Sequence, residues 1–432
     1  YLLAYAVPLL VTGRLGDRFG PKNLYLIGLT VFTLASLWCG LTESISGLIV
    51  ARVVQGLGAS MMTPQTMAVI TRTFPAANRG SAMALWGATA GAATLAGPLL
   101  GGVLVDIAGW EWIFFVNVPV GIVAFVLGVR LIPRLDTHVH TFDWIGVALS
   151  AVGMFLVTFG IQEGETYDWG QITGWISVPL VIALGVGVMA LFLVWQSRQR
   201  REPLVPLDLF RDRNFSLSTA GITLVSLAIT GMSLPLMFYA QGVRGWSPTQ
   251  SAFLLAPMAI VLMLMSRRVG RWVDRVHPRS ITLVGFGTAA VAMFWLTRAL
   301  TPDAAVWELV LPMALLGISN ACMWSPLAVT ATRNLPMRSA GAGAGVYNTT
   351  RQIGAVLGSA AIAARMESRL AANGLNQASF SHEPGTMPAA IQEQFARAMA
   401  QSMLLPAVAF ACGVVLVLFF ARPTHEPALE AA

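Results

Sequence analysis

The chain has 432 residues, 56% of them hydrophobic and only 11% charged, with a mean hydropathy of +0.69 and a formal net charge of +7. A soluble domain carries about a quarter charged residues, so the composition excludes a soluble enzyme or binding module and points to a polytopic membrane protein. The positive charge is no sign of a nucleic-acid surface, because the basic residues lie in short loops between apolar runs, where they report topology.

A bilayer-crossing helix needs about 20 mostly apolar residues. In chain order the sequence predicts spans at 1–13 (partial), 24–42, 46–71, 80–105, 111–132, 143–162, 174–196, 215–239, 249–269, 280–300, 306–332, 339–365 and 402–421. Tyr1 opens the chain inside an apolar run with no basic leader, so the first window reads as the remainder of a cut segment with at least one element before it. Between Gln196 and Asn214 a basic stretch predicts a connector with a surface-lying piece. Residues 366–401 read as one long external loop, in which "AAIQEQFARAMAQSM" has helical character. Alternate loops hold 20 of the 27 Lys and Arg residues, which assigns them, and the C-terminal tail 422–432, to the cytoplasmic side.

One charged turn is written twice. "GRLGDRFGPK" (Gly13 to Lys22) and "GRWVDRVHPR" (Gly270 to Arg279) match at Gly, Arg, Asp, Arg and Pro with a constant offset of 257. A second echo pairs Arg72 with Arg333 and Pro75 with Pro336, offset 261. Both echoes lie eight spans apart. A parallel repeat of six helices would give six, so two helices, 143–162 and 174–196, are inserted between the halves. Six, two and six make fourteen helices, of which thirteen are visible. The expected fold is therefore all-α and polytopic. Its domains are an N-terminal bundle at 1–133, a linker with two extra helices at 134–214 and a C-terminal bundle at 215–421.

Several side chains are out of place for plain lipid-facing helices. In the turn, Gly13, Gly16 and Gly20 permit a tight path and Arg14, Arg18 and Lys22 anchor it, but a topology anchor needs no acid. Asp17 can sit at a neighbouring helix N-terminus or pair with Arg, and Asp274 and Arg275 repeat it; the alternative is a plain positive-inside turn. Arg52 lies inside a span, where a cation faces a cavity or a partner, or else bonds backbone carbonyls. Asn348, Arg351 and Gln352 share a helix face, as packing glue or as cavity lining. Gly91, Gly97, Gly101 and Gly102 form a small-residue ridge that allows close helix contact, and Pro98 kinks it. An amphiphile site should be apolar, aromatic and adaptable, which nominates Met237, Tyr239, Gln241, Asn320, Trp324, Tyr347 and Asn348. No Asp or Glu occupies the middle of a predicted span.

These motifs resemble the major facilitator superfamily, and within it the fourteen-helix drug:proton antiporters of the EmrB/QacA type. The charged turn, "RVVQGLGAS" (Arg52 to Ser60), "GPLLGG" (Gly97 to Gly102) and "NTTRQIGAVLG" (Asn348 to Gly358) carry the resemblance in the right order along essentially the whole chain. "SLPLMFYAQ" and "AGAGAGVYNTTRQIG" look most like the actinobacterial EfpA-like exporters. The resemblance implies two six-helix bundles plus two helices and a conformational latch at Gly13, Arg14, Asp17, Arg18, Gly20, Asp274 and Arg275. It also implies proton coupling through Arg52, a gate helix at Gly97, Pro98, Gly101 and Gly102, and a cavity that includes Arg351 and Gln352. Ala93 stands where the gate motif usually has glycine. The family often carries its coupling acid in the first helix, so no carboxylate is assigned.

The expected function is export of hydrophobic or amphiphilic compounds by proton-coupled alternating access. A lipid exporter with weak proton dependence is the alternative, and a non-transporting sensor or scaffold a remote one. Expected partners are membrane lipids, small amphiphiles and protons, with no nucleic acid, cofactor or metal and no catalytic residues. "THVH" (Thr137 to His140) offers two histidines and no further ligand. Cys39, Cys322 and Cys412 read as small buried hydrophobes. Arg-dominated basic usage, with Lys22 the sole lysine, suggests a GC-rich bacterium, hence a bacterial plasma membrane.

Overall fold

The computed structural model describes residues 1–75, 79–135, 137, 143–164, 166–199, 203–333, 335, 340–375 and 389–421. Outside these lie the predicted tail 422–432, the middle of the external loop, His138, His140, Pro336 and Arg338.

The chain is helical along nearly its whole described length. In order it forms α1 (Leu2–Ala6), α2 (Leu9–Phe19), α3 (Pro21–Leu41), α4 (Ile45–Thr73), α5 (Arg79–Ala108), α6 (Trp112–Phe115), α7 (Asn117–Leu131) and α8 (Trp144–Gln162). Then come α9 (Val178–Arg198), α10 (Arg213–Phe238), α11 (Pro248–Phe253), α12 (Ala256–Arg275), α13 (Pro278–Ala299), α14 (Val306–Arg333), α15 (Ala340–Ala372), α16 (Ala389–Ser402) and α17 (Leu404–Val417). Every predicted span falls on a helix, and ten helical stretches are long and apolar enough to cross a membrane among the described residues. On α7, Val120, Ile122, Val123 and Leu127 are exposed, which suits a hydrocarbon solvent.

Local chemistry sets the boundaries. Pro21 and Pro278 stand at the first turns of α3 and α13, where a missing N–H costs nothing. Ser44, Asp143 and Ser177 cap α4, α8 and α9 by accepting from the N–H of Gly47, Gly146 and Leu180. Pro235 lies inside α10, which ends in a π-helical turn, Tyr239–Val243.

Two boundaries differ from expectation. The span predicted from 174 begins at Val178, because β1 (Gln171–Thr173) and β2 (Ile176–Ser177) pair as a short antiparallel hairpin turned by Gly174 at φ +57°. The span predicted to end at 365 runs on to Ala372 as α15, while the helical character expected at "AAIQEQFARAMAQSM" is α16, which begins at Ala389. The surface piece of the connector is a 3-10 helix, Leu207–Arg211.

By contacts the chain forms two compact units that draw on both sequence halves. The first comprises Tyr1–Ala76, Val103–Thr219 and Ala331–Gln352. Its buried side chains include Leu9, Met67, Phe192, Phe215 and Tyr347. Within it α8 and α9 pack closely, with Gly185 against the Val157 backbone nitrogen (2.7 Å to a built Cβ). The second comprises Ala77–Gly102, Ala220–Thr330 and Ile353–Ala432. Its core holds Ile222, Leu236, Tyr239, Phe395 and an edge-to-face pair, Phe286 and Phe410, with centroids 6.4 Å apart.

Candidate functional site

The first site lies at the end of α2, in the first unit. The start of α15 reads "AGAGAG", with no side chain able to satisfy its first amides. Asp17 supplies the acceptor: the Gly341 N–H donates to Oδ1 at 3.0 Å and the Ala342 N–H to Oδ2 at 3.1 Å. The approach is possible because Gly13 has no side chain. A Cβ there would stand 2.7 Å from the Gly341 carbonyl oxygen and 2.9 Å from Gly345 Cα. Arg14, also buried, places Nη1 3.9 Å from Asp17 Oδ2. Burial raises the proton affinity of Asp17 above the ordinary carboxylate range, opposed by Arg14, the two amides and Arg72. Gly20, at φ +88°, closes α2 and admits Pro21. Arg18 lies over the Phe19 ring at 5.3 Å.

The second copy sits in the other unit on an equivalent partner. Gly270 meets the start of α5, with a built Cβ 2.6 Å from Ala84 Cβ and 3.0 Å from the Gly80 carbonyl oxygen and Ser81 Cα. Gly341 and Gly345 lie 261 positions after Gly80 and Ala84, the offset of the second sequence echo. Arg275 is exposed, and the side chain of Asp274 lies outside the described residues.

Arg52 is half-buried on α4. Its Nη1 donates to Gln55 Oε1 at 2.6 Å, and its guanidinium lies over the rings of Tyr1 (4.5 Å) and Phe114 (5.4 Å). Gln55 Nε2 donates to Ser36 Oγ at 3.0 Å, as does Asn117 Nδ2, and Ser36 donates to the Phe114 carbonyl. The partners are neutral, so the cation is held by an amide oxygen and two ring faces.

Arg351 reaches the same unit from α15: its Nη2 donates to the Tyr5 hydroxyl at 3.1 Å, and that hydroxyl donates to Thr63 Oγ1 at 3.2 Å. Tyr5 stacks on Tyr1 with centroids 6.2 Å apart. Two cations of distant sequence thus bracket one tyrosine pair. Sequence reasoning missed Tyr1, Tyr5 and Thr63; an aromatic residue one helical turn from another in the opening run was the available signal. Asn348 is fully buried; Nδ2 donates to the Ala344 carbonyl at 2.9 Å and lies 3.9 Å from Met67 Sδ. Among the described residues Asn348 Oδ1 and the Tyr347 hydroxyl have no partner. Gln352 is buried beside them in sequence.

The remaining cavity candidates lie in the second unit. Trp324 donates to Asn320 Oδ1 at 2.9 Å one turn along α14. Tyr239 donates to the Thr301 carbonyl at 2.6 Å, where Arg244 also holds the Pro302 and Ala304 carbonyls. Tyr239 is therefore an anchor for the loop after α13. Met237 and Gln241 are half-buried nearby in sequence.

On the expected gate helix, a Cβ on Gly97 or Gly101 would meet nothing within 4 Å among the described residues. The close contact occurs on α15, where built Cβ atoms on Gly354 and Gly358 run into the backbone of Thr223 and Leu227 on α10. The side chains of Gly91, Pro98 and Gly102 lie outside the described residues.

Comparisons with known proteins agree with this architecture. The family model described as Major Facilitator Superfamily matches residues 1–359. An uncharacterized MFS-type transporter, Rv1250, of Mycobacterium tuberculosis is 54% identical over 97% of this chain and 73% of its own length. The tetracenomycin C resistance and export protein of Streptomyces glaucescens is 32% identical over 86% of this chain and 68% of its own. The multidrug export protein EmrB of Escherichia coli is 29% identical over 82% and 69%. Among solved structures, an auto-inhibited POT family peptide transporter superposes with a TM-score of 0.60 at 17% identity, covering 99% of this chain and 88% of that one, a likeness of fold alone. The chain thus belongs to the major facilitator superfamily, as a multi-pass membrane protein.

Proposed function

We propose that the protein exports hydrophobic or amphiphilic compounds by proton-coupled alternating access, in a bacterial plasma membrane with its C-terminus in the cytoplasm. Export is the activity named for several relatives. The observation that carries the mechanism is the Asp17 clasp, whose carboxylate holds two helix-start amides 324 and 325 residues away. Two charge-assisted hydrogen bonds are strong enough to favour one packing of α2 against α15 and few enough to break in a cycle. Arg52, held by neutral partners, can bias the proton affinity of a carboxyl group that approaches it. Gly13, Arg14, Arg18, Gly20 and the second copy's Asp274 and Arg275 form the latch in this reading, and Tyr347, Asn348, Arg351 and Gln352 face the substrate path.

Ethidium accumulation in efflux-deficient cells tests this directly. Cells with the wild-type chain should accumulate less dye, and Arg52→Ala should return accumulation to the level of cells without the transporter. Equal accumulation with wild type and Arg52→Ala would sink the mechanism.

A second reading, a lipid or lipid-like amphiphile exporter with weak proton dependence, is favoured by the neutral surroundings of Arg52. Proteoliposomes with an imposed pH gradient separate the two. Transport that follows the gradient supports antiport, and transport indifferent to it supports the lipid reading.

A further inference from the structure

Within the second unit, the end of α12, the start of α13 and one residue of α14 enclose a groove lined by Trp272, Val276, Ser280, Ile281, Val284 and Cys322, with a volume of about 240 Å³. Clefts that enclose drug-sized ligands run from about 300 to 1,000 Å³, so this space suits a segment of extended chain. Its rim is apolar and open: Trp272, Val276 and Val284 are 47%, 43% and 53% exposed.

The groove has a cationic collar. Between residues 267 and 279 stand five arginines, Arg267, Arg268, Arg271, Arg275 and Arg279, against one acid, Asp274. All five are exposed, and none forms an ion pair among the described residues. Arg268 precedes Trp272 by one helical turn, which puts both on one face of α12, and Arg279 adjoins Ser280 at the start of α13. In the first copy of the turn Arg14 is buried and Lys22, half-buried, has a protein partner. There Arg14 lies beside Asp17, and Lys22 Nζ donates to the Val129 carbonyl at 2.7 Å.

An apolar groove, a tryptophan rim and exposed arginines at the end of membrane-spanning helices match the chemistry of an anionic lipid: acyl chain, interface and phosphate in that order. We propose that this groove binds one anionic phospholipid of the adjoining leaflet. Its acyl chain lies along Trp272, Ile281 and Val284, and its phosphate sits on Arg279 at the helix-end side of the groove. The proposal does not depend on the export reading, since its readout is retained lipid and not transport.

The test is native mass spectrometry of the full chain in mild detergent, titrated with phosphatidylglycerol or with phosphatidylcholine of the same acyl chains. The wild type should retain one phosphatidylglycerol at least about fivefold more than phosphatidylcholine. Arg279→Gln, at an exposed position that forms no ion pair among the described residues, should abolish that preference. Val284→Phe, at an exposed lining position, should lower retention of both lipids by filling the groove. Equal retention of the two lipids by the wild type would overturn the proposal. So would a charge-variant preference equal to that of the wild type, or a Val284→Phe protein that keeps its lipid.

Discussion

The two copies of the charged turn use one backbone device for different ends. In each, a glycine near the end of a helix lets it lie against the start of a helix from the other half of the sequence: Gly13 against Gly341 and Gly345, Gly270 against Gly80 and Ala84. The first copy buries its charges, with Arg14 and Asp17 8% and 2% exposed, and Asp17 satisfies two amides. The second leaves its arginines in the open beside an apolar groove. The close approach of backbones is the repeated property, and the side chains around it have diverged. A sequence repeat in this fold therefore reports a shared corner and not a shared role.

Substitutions at five positions break or sharpen that contrast. Gly13→Ala should have the largest effect, because the added Cβ meets backbone atoms at 2.7 and 2.9 Å that cannot rotate away. A loss of up to about 3 kcal/mol is expected, read as a lower melting temperature in detergent together with lost efflux. Asp17→Ala should cost about 2 kcal/mol by stranding two buried amides, whereas Asp17→Asn keeps an acceptor and should cost less. The same residue gives a pH test. Its proton affinity is raised by burial in the clasp, so the clasped state takes up a proton more readily than an opened, solvated Asp17. The carboxyl therefore favours the clasp increasingly as pH falls through its raised value, a slope that Asp17→Asn should remove.

Gly270→Ala should cost about 1 kcal/mol, and here a rescue exists. The nearest atom is a side-chain carbon, Ala84 Cβ, so Gly270→Ala/Ala84→Gly should recover most of the melting temperature. No such rescue is open to Gly13→Ala, whose neighbours are already glycines. Recovery at neither corner would show that the corners do not differ as described. Gly97→Ala, further along α5 and facing open space, should leave melting unchanged or raise it by up to about 1 kcal/mol through helix propensity.

Much of this was legible before any coordinates. Apolar run lengths placed the long helices, since a bilayer demands the same satisfied backbone everywhere. Asp17 was singled out because an acid has no use in a topology anchor, and it sits on a helix start beside an arginine. The misses have physical causes. Glycines permit close contact but do not compel it, so Gly97 and Gly101 carried no information about whether a neighbour arrives, while Gly354 and Gly358 have one. The Tyr239 hydroxyl donates to a loop carbonyl that sequence cannot locate. The hairpin at 171–177 is too short and too polar to show a period of two. Tyr5 is an apolar-run tyrosine until α15 brings Arg351 to it.

The reach of the Asp17 clasp bears on how the chain is made. Its two partners emerge from the ribosome 324 and 325 residues after it, so α2 must wait through most of translation before its corner can close. Gly270 meets a partner already synthesised, at Gly80 to Ala84. Nascent chains can complete the second corner while the first still awaits its helix. At synthesis rates of about 5–20 residues per second the 324 residues from Asp17 to Gly341 take tens of seconds. Throughout that time, a buried carboxylate and an arginine await their final surroundings, and stalling or truncation before residue 341 would leave them without it.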